Sequence, residues 1–177
     1  LSVKVHEGLP RWPGFTSSSA LLRSADWFGT CVFAWSGSLT AATAGMDLLG
    51  CVIVGTITAV GGGTLRDAIV LRKQPFWLVE ETEYLWMSLL FATGAFFLWP
   101  LIPEGVFKDS EGGEGMALVW GDAIGVGAFC VIGAQNGIRA ASPPIVSALC
   151  GMMTATFGGM VRDVLAKRPV RILHSHA

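Results

Sequence analysis

Long uncharged apolar runs alternate with short charged or glycine-rich connections along this chain. Runs free of Asp, Glu, Lys and Arg occupy 27–46, 48–65, 84–103, 123–138 and 140–161. Each is close to the roughly 20 residues that an α-helix needs to cross hydrocarbon. Helices buried in a soluble bundle keep a polar face at 3.6-residue spacing, and these runs have almost none. The pattern predicts an all-α, polytopic membrane protein with about five transmembrane helices in contact with the lipid bilayer.

Composition agrees with that class: of 177 residues, 52% are hydrophobic and 14% charged, with 23 glycines and 7 tryptophans. A formal net charge of −1 leaves no basic field, and no basic-plus-aromatic stripe is present, so nucleic acid is excluded as a partner. Cys31, Cys51, Cys130 and Cys150 all fall within the predicted helices without CxxC or His-flanked spacing. They read as small core residues, and no metal or other cofactor is expected. His6, His174 and His176 sit in the tails and no nucleophile–base cluster occurs, so an enzyme is not expected. The start, "LSVKVHEGLPRWPGFTSSSALLRS", lacks a methionine and fits either a matured organellar protein or an ordinary polar tail.

Two glycine clusters interrupt the apolar pattern and carry charge with them: "TAVGGGTLRD" at 58–67 and "TATFGGMVRD" at 154–163. They belong to an internal repeat. Displacing the chain by 96 positions aligns 26–67 with 122–163 without a gap, matching Asp26 with Asp122, Gly29 with Gly125, Phe33 with Phe129 and Gly37 with Gly133. Further on, Gly55 meets Gly151, Thr58 meets Thr154, Gly62 and Gly63 meet Gly158 and Gly159, and Arg66-Asp67 meets Arg162-Asp163. Three predicted helices separate the start of one copy from the start of the next, and an odd number reverses the direction of insertion. The copies are therefore expected to be inverted, related by an axis in the membrane plane. The chain divides into a polar N-terminal tail (1–24), a first membrane repeat (25–103), an exposed acidic loop (104–118), an incomplete second repeat (119–166) and a basic C-terminal tail (167–177).

In transporters built this way, solute sites lie near the midplane where corresponding helices are broken. Gly61, Gly62 and Gly63, with Gly158 and Gly159, are expected to permit such breaks, or a close approach of helix or ligand. A charge within the bilayer must be paired or face water, so Arg66, Asp67, Arg162 and Asp163 are expected to form a network crossing between repeats, Arg66 with Asp163 and Arg162 with Asp67. The competing reading is small-residue helix packing with the charges at headgroup level. Gln135 and Asn136 bring amides into an apolar helix, where they either bind solute or bond across helices. Asp26 and Asp122 read as N-caps, Pro143 and Pro144 as the first turn of a helix, and Trp27, Trp86, Trp99 and Trp120 as interfacial anchors. The basic residues outside the runs give only a slight bias toward an N-terminus inside.

"GGGTLRD" with a following proline, "GGMVRD" with "KRP", and "DAIGVGAFCVIGAQ" resemble the bacterial glycine-transporter or UPF-type membrane family, distantly similar to trimeric intracellular cation (TRIC) channels. The resemblance covers about 24–172. It implies seven helices, two inverted three-helix repeats plus one more, in a homotrimer with a pore in each subunit that passes a small solute or monovalent cation. By matching motif, Gly61–Gly63, Arg66, Asp67, Gly158, Gly159, Arg162 and Asp163 would line or support that pore. Two departures stand out. Thr58, Ala59 and Val60 occupy the place of the Lys-Glu pair of the animal channels, so phosphoinositide binding is not carried over. After "KRPVRILHSHA" no counterpart of the 84–103 run follows, so helices six and seven are expected to be missing here. Two functions stay open: a permease, or a non-transporting structural accessory subunit of a larger membrane complex, an organellar one included; the membrane is expected to be a bacterial inner membrane or an organellar membrane.

Overall fold

The computed structural model describes residues 10, 12–15, 17–101 and 116–173. Most of the acidic loop expected at 104–118, and the three tail histidines, lie outside these residues. The described residues form five long helices: α1 (Ser18–Thr43), α2 (Leu48–Leu65), α4 (Glu83–Leu98), α5 (Met116–Arg139) and α6 (Pro144–Leu165), with a four-residue α3 (Phe76–Val79) between α2 and α4. By length and apolarity alone, α2 with its extension to Val70 and α6 are sufficient to cross a membrane.

Local signals explain the ends. Ser17 caps α1, its side chain accepting from the Ala20 amide, and Asp47 caps α2 by accepting from the Gly50 amide at 2.8 Å. Gly45 supplies the positive φ of the α1–α2 turn, and Ala141, its counterpart 96 positions on, takes positive φ in the α5–α6 turn. Pro144 opens α6, where its missing N–H removes no helix bond.

The bundle is packed inside out relative to a soluble protein. Its fully buried positions are small, among them Ala34, Ser36, Ser38, Ala41, Ser88, Ala92 and Ala95, whereas Leu49, Trp86, Leu90, Trp120, Ile145 and Leu101 are exposed. Small residues let helices approach closely and leave the large apolar side chains for the surroundings, the arrangement suited to lipid.

The two halves pack alike. Within the first hairpin, the Gly37 position faces the Thr58 side chain, and Gly55 lies against the Ala34 carbonyl and Ser38. Within the second, Gly133 faces the Thr154 side chain, and Gly151 lies against the Cys130 carbonyl and Ala134. Each contact of one hairpin is thus the other's, displaced by 96 positions. Between the halves, α1 crosses α5 where Gly29 meets Gly125 and the Phe33 and Phe129 rings stack at 5.2 Å; α2 crosses α6 where Gly62 meets Thr154 and Thr58 meets Gly158. In the second crossing the residue numbers rise on one helix as they fall on the other, so α2 and α6 run antiparallel.

Two expectations are corrected. Asp26 and Asp122 are not N-caps: both lie well inside long helices, because α1 begins at Ser18 and α5 at Met116. Nor do α2 and α6 break at their glycines. Both stay helical through Gly61–Gly63 and Gly158–Gly159; the departure comes later and in one copy only, as a π-helical turn at Arg66–Val70. The reason is packing. A Cβ on Gly62 would collide with the Thr154 carbonyl oxygen, and one on Gly158 with that of Thr58. The glycines are spent on backbone-to-backbone approach, which needs an intact helix on both sides.

Candidate functional site

A polar cavity of about 290 Å³ lies among α1, α2, α4, α5 and α6. It is gathered at one end of the bundle, where the start of α1, the end of α2, the start of α4 and the end of α5 meet. Its inner wall includes Ala59, Gly63, Arg66 and Thr154, next to the α2–α6 glycine crossing.

Arg66 opens the π-helical turn that follows α2. Its Nε and Nη2 donate to Asp67 Oδ1 at 2.8 and 2.7 Å, and its Nη1 donates to Thr154 Oγ1 of α6 at 3.1 Å. Asp67, fully buried behind it, also accepts from the Phe76 amide at 3.1 Å and lies 3.7 Å from Lys73 Nζ. One carboxylate therefore neutralises the arginine and folds the chain after the π turn back onto α2. Trp77 secures the same fold by donating to Thr64 Oγ1 at 2.9 Å.

A second network closes the α1–α4 side. Buried Arg23 donates to the Pro10 carbonyl at 2.7 Å, to Tyr84 Oη at 2.6 Å and to Glu81; Tyr84 in turn donates to Asp26, which lies 3.6 Å from Arg23. Every polar group in this cluster has a partner, as burial requires.

The structure brings together only part of the expected set. Gly63, Arg66 and Asn136 line the cavity, and Asp67 backs it. Gly61, Gly62 and Gly158 form the helix crossing, while Gly159 has room for a side chain. Gln135 and Asn136 accept from Arg139 at 3.4 and 3.2 Å, bonds within one helix rather than between helices. The cross-repeat ion pairs do not form. Arg162 Nε donates to its neighbour Asp163 at 2.9 Å, at the end of the bundle where Arg168 donates to Thr43 Oγ1 of α1 at 2.6 Å. Arg66-Asp67 sits at the opposite end, beside α4's start, so the two pairs are too far along the bundle to exchange partners.

Arg23, Tyr84, Glu81, Arg139 and Thr154 were not singled out by the sequence. Tyr84 carried a usable signal, as the chain's sole tyrosine at the head of an apolar run. Thr154 carried another, as the repeat partner of Thr58.

A helical bundle with an inside-out core, repeated hairpins and a polar cavity among its helices is the architecture of an integral membrane protein. The family described as "Glycine transporter" matches residues 23–100 and 119–177, and the chain belongs to that family. It is 31% identical over 165 residues to a UPF0126 membrane protein of Vibrio cholerae, and 34% identical over 150 residues to the UPF0126 inner membrane protein YadS of Escherichia coli K12. These alignments cover 89% and 85% of this chain but 62% and 68% of the relatives, so the chain spans roughly two thirds of their length. Among solved structures, the TRIC trimeric intracellular cation channel orthologue from Rhodobacter sphaeroides matches with a TM-score of 0.74 and 36% identity, over 88% of this chain and 75% of that one. A structure described for conductance through TRIC cation channels matches at 0.75 and 29%, over 86% and 70%. The fold is TRIC-like.

Proposed function

We propose that this chain forms the solute path of a TRIC-like permease for a small solute or monovalent cation, entered through the cavity at Arg66. The observation that carries the reading is that cavity: it is lined by helices of both halves and reaches the α2–α6 crossing. A non-transporting accessory subunit has no use for such a space; a closed, dry core would serve it better.

The architecture that goes with this function is five membrane spans, α1, α2, α4, α5 and α6, in an inverted repeat of 25–103 and 119–166. Among the described residues the second copy has counterparts of α1 and α2, and none of α4. The antiparallel α2–α6 crossing supports inversion, since a two-fold axis relating antiparallel membrane helices lies in the membrane plane. The family match supports the repeat, its two segments starting at 23 and 119, again 96 positions apart. The assembly is a homotrimer, supported by the trimeric R. sphaeroides structure and by the exposed apolar side chains of α4 to α6. The membrane is a bacterial inner membrane, as in the name of the E. coli relative.

The test is flux into vesicles reconstituted with the protein and with Arg66→Ala, alongside a check of oligomer integrity. The reading expects flux above empty vesicles that Arg66→Ala changes. No flux from an intact assembly would end it.

A further inference from the structure

Two aromatic rings stand between the cavity and the opposite half of the bundle. Phe129, a cavity-lining residue of α5, lies about 15 Å of helix inward from Arg139. Phe33 of α1 stacks on it, with ring centroids 5.2 Å apart and planes at 27°. Among the described residues these two are the only buried phenylalanines, in a core otherwise built mainly of small side chains. Each ring reaches over a glycine of the facing helix: a Cβ on Gly29 would stand 3.2 Å from Phe129 Cζ, and one on Gly125 would stand 2.8 Å from a Phe33 ring carbon. The glycines make room for the pair.

Polar groups continue past the rings, toward the Arg162 end. Ser36 donates to Asp122 Oδ1 at 3.3 Å, and Ser36, Thr40 and Thr58 are all buried. The repeat accounts for them: Asp122, Thr40, Thr58 and Arg162 are the counterparts of Asp26, Asn136, Thr154 and Arg66, which line the cavity. Each end of the bundle carries a copy of one polar set, and the rings lie where the two sets meet. Polar side chains inside a membrane bundle are costly and mark solute paths. Within 26–67, Trp27, Phe28 and Trp35 correspond to Ala123, Ile124 and Val131, and Phe33 alone keeps an aromatic counterpart. The ring pair is thus the one aromatic feature that both copies supply to their shared contact.

From this geometry we infer that Phe33 and Phe129 are the gate of the solute path, an apolar constriction that is shut in this structure. The inference rests on the permease reading and adds where its path closes. Two apolar rings in contact exclude water, and a hydrated solute crossing them would shed its shell with no polar group in exchange. Opening is the parting of the rings, which joins the cavity at Arg66 to the Ser36–Asp122 side.

The experiment is flux of potassium and of glycine into vesicles holding wild type, Phe33→Ala, Phe129→Ala or, as control, Phe97→Ala, whose ring is exposed on α4. Trapped calcein reports leakage, and oligomer integrity is checked for each protein. Removing either ring is expected to raise flux of the permeant solute about tenfold or more, since it widens the constriction that water must fill. Calcein stays inside, and Phe97→Ala matches wild type. A residue that only packs the core would lower flux or leave it unchanged when truncated. Wild-type flux that neither Phe33→Ala nor Phe129→Ala raises, from intact assemblies, overturns the gate and leaves the permease reading standing. Silent wild type with conducting variants upholds both; no flux from any of the proteins overturns both. Flux that appears only together with calcein loss is damage to the bundle and counts against the gate. Where the alanine variants do not assemble, Phe33→Leu and Phe129→Leu, which shorten the ring and stay apolar, decide the matter by the same rise or its absence.

Discussion

Gly62 on α2 packs directly against the main-chain carbonyl of Thr154 on α6, with no room between them for a Cβ. The reciprocal contact, Gly158 on the Thr58 carbonyl, makes this crossing the joint between the two halves. Gly62→Ala and Gly158→Ala are each expected to destabilise by about 1–3 kcal/mol, the usual cost of overpacking against atoms that cannot give way. Gly127 has open space around its Cα, so Gly127→Ala is the control and should be neutral or mildly stabilising through helix propensity. Thermal unfolding in detergent measures all three; a neutral Gly62→Ala would show that the joint is loose.

Asp67 holds Arg66, approaches Lys73 and accepts from the Phe76 amide, all while fully buried. Asp67→Asn strands a buried guanidinium, and breaking a buried pair from one side costs about 3–5 kcal/mol. Arg66→Ala should cost less, because Asp67 keeps its other two partners. Limited proteolysis supplies a second readout: Asp67→Asn is expected to open the 71–75 segment to cleavage before the helices melt, and Arg66→Ala much less so.

Tyr84 links α4 to α1 by accepting from Arg23 and donating to Asp26. Tyr84→Phe keeps the ring, which packs edge-on against Phe76 at 5.2 Å, and removes only the hydroxyl. The two buried charges then each lose a hydrogen bond, and about 1–3 kcal/mol of stability is expected to go with it. Denaturant unfolding at neutral pH checks this; an unchanged midpoint would mean that the cluster does not fasten α4 in place.

Class and repeat were legible from the chain because both rest on patterns that survive without coordinates: uncharged runs of membrane length, and a gapless match at a displacement of 96. The glycines were legible as special but not in their role. A triple glycine permits a break and a close approach equally, and only the position of the Thr154 carbonyl decides between them. The Arg-Asp pairs misled for a related reason. Symmetry suggested exchange of partners, yet the antiparallel packing of α2 and α6 sends the pairs to opposite ends, and each arginine is then satisfied by the aspartate next to it. Arg23 and Arg139 looked like connecting charges at helix ends. Their convergence on one cavity follows from how α1, α4 and α5 meet at that end, which no local pattern encodes.

Whether the cavity is the path is tested most directly at Asn136, which lines it. Flux into vesicles is measured for Asn136→Cys before and after a water-soluble, charged methanethiosulfonate, with the wild type given the same reagent to account for its own cysteines. A path through this cavity predicts that modification lowers Asn136→Cys flux to the level of empty vesicles and leaves wild-type flux unchanged. Undiminished flux from a fully modified Asn136→Cys protein would contradict it.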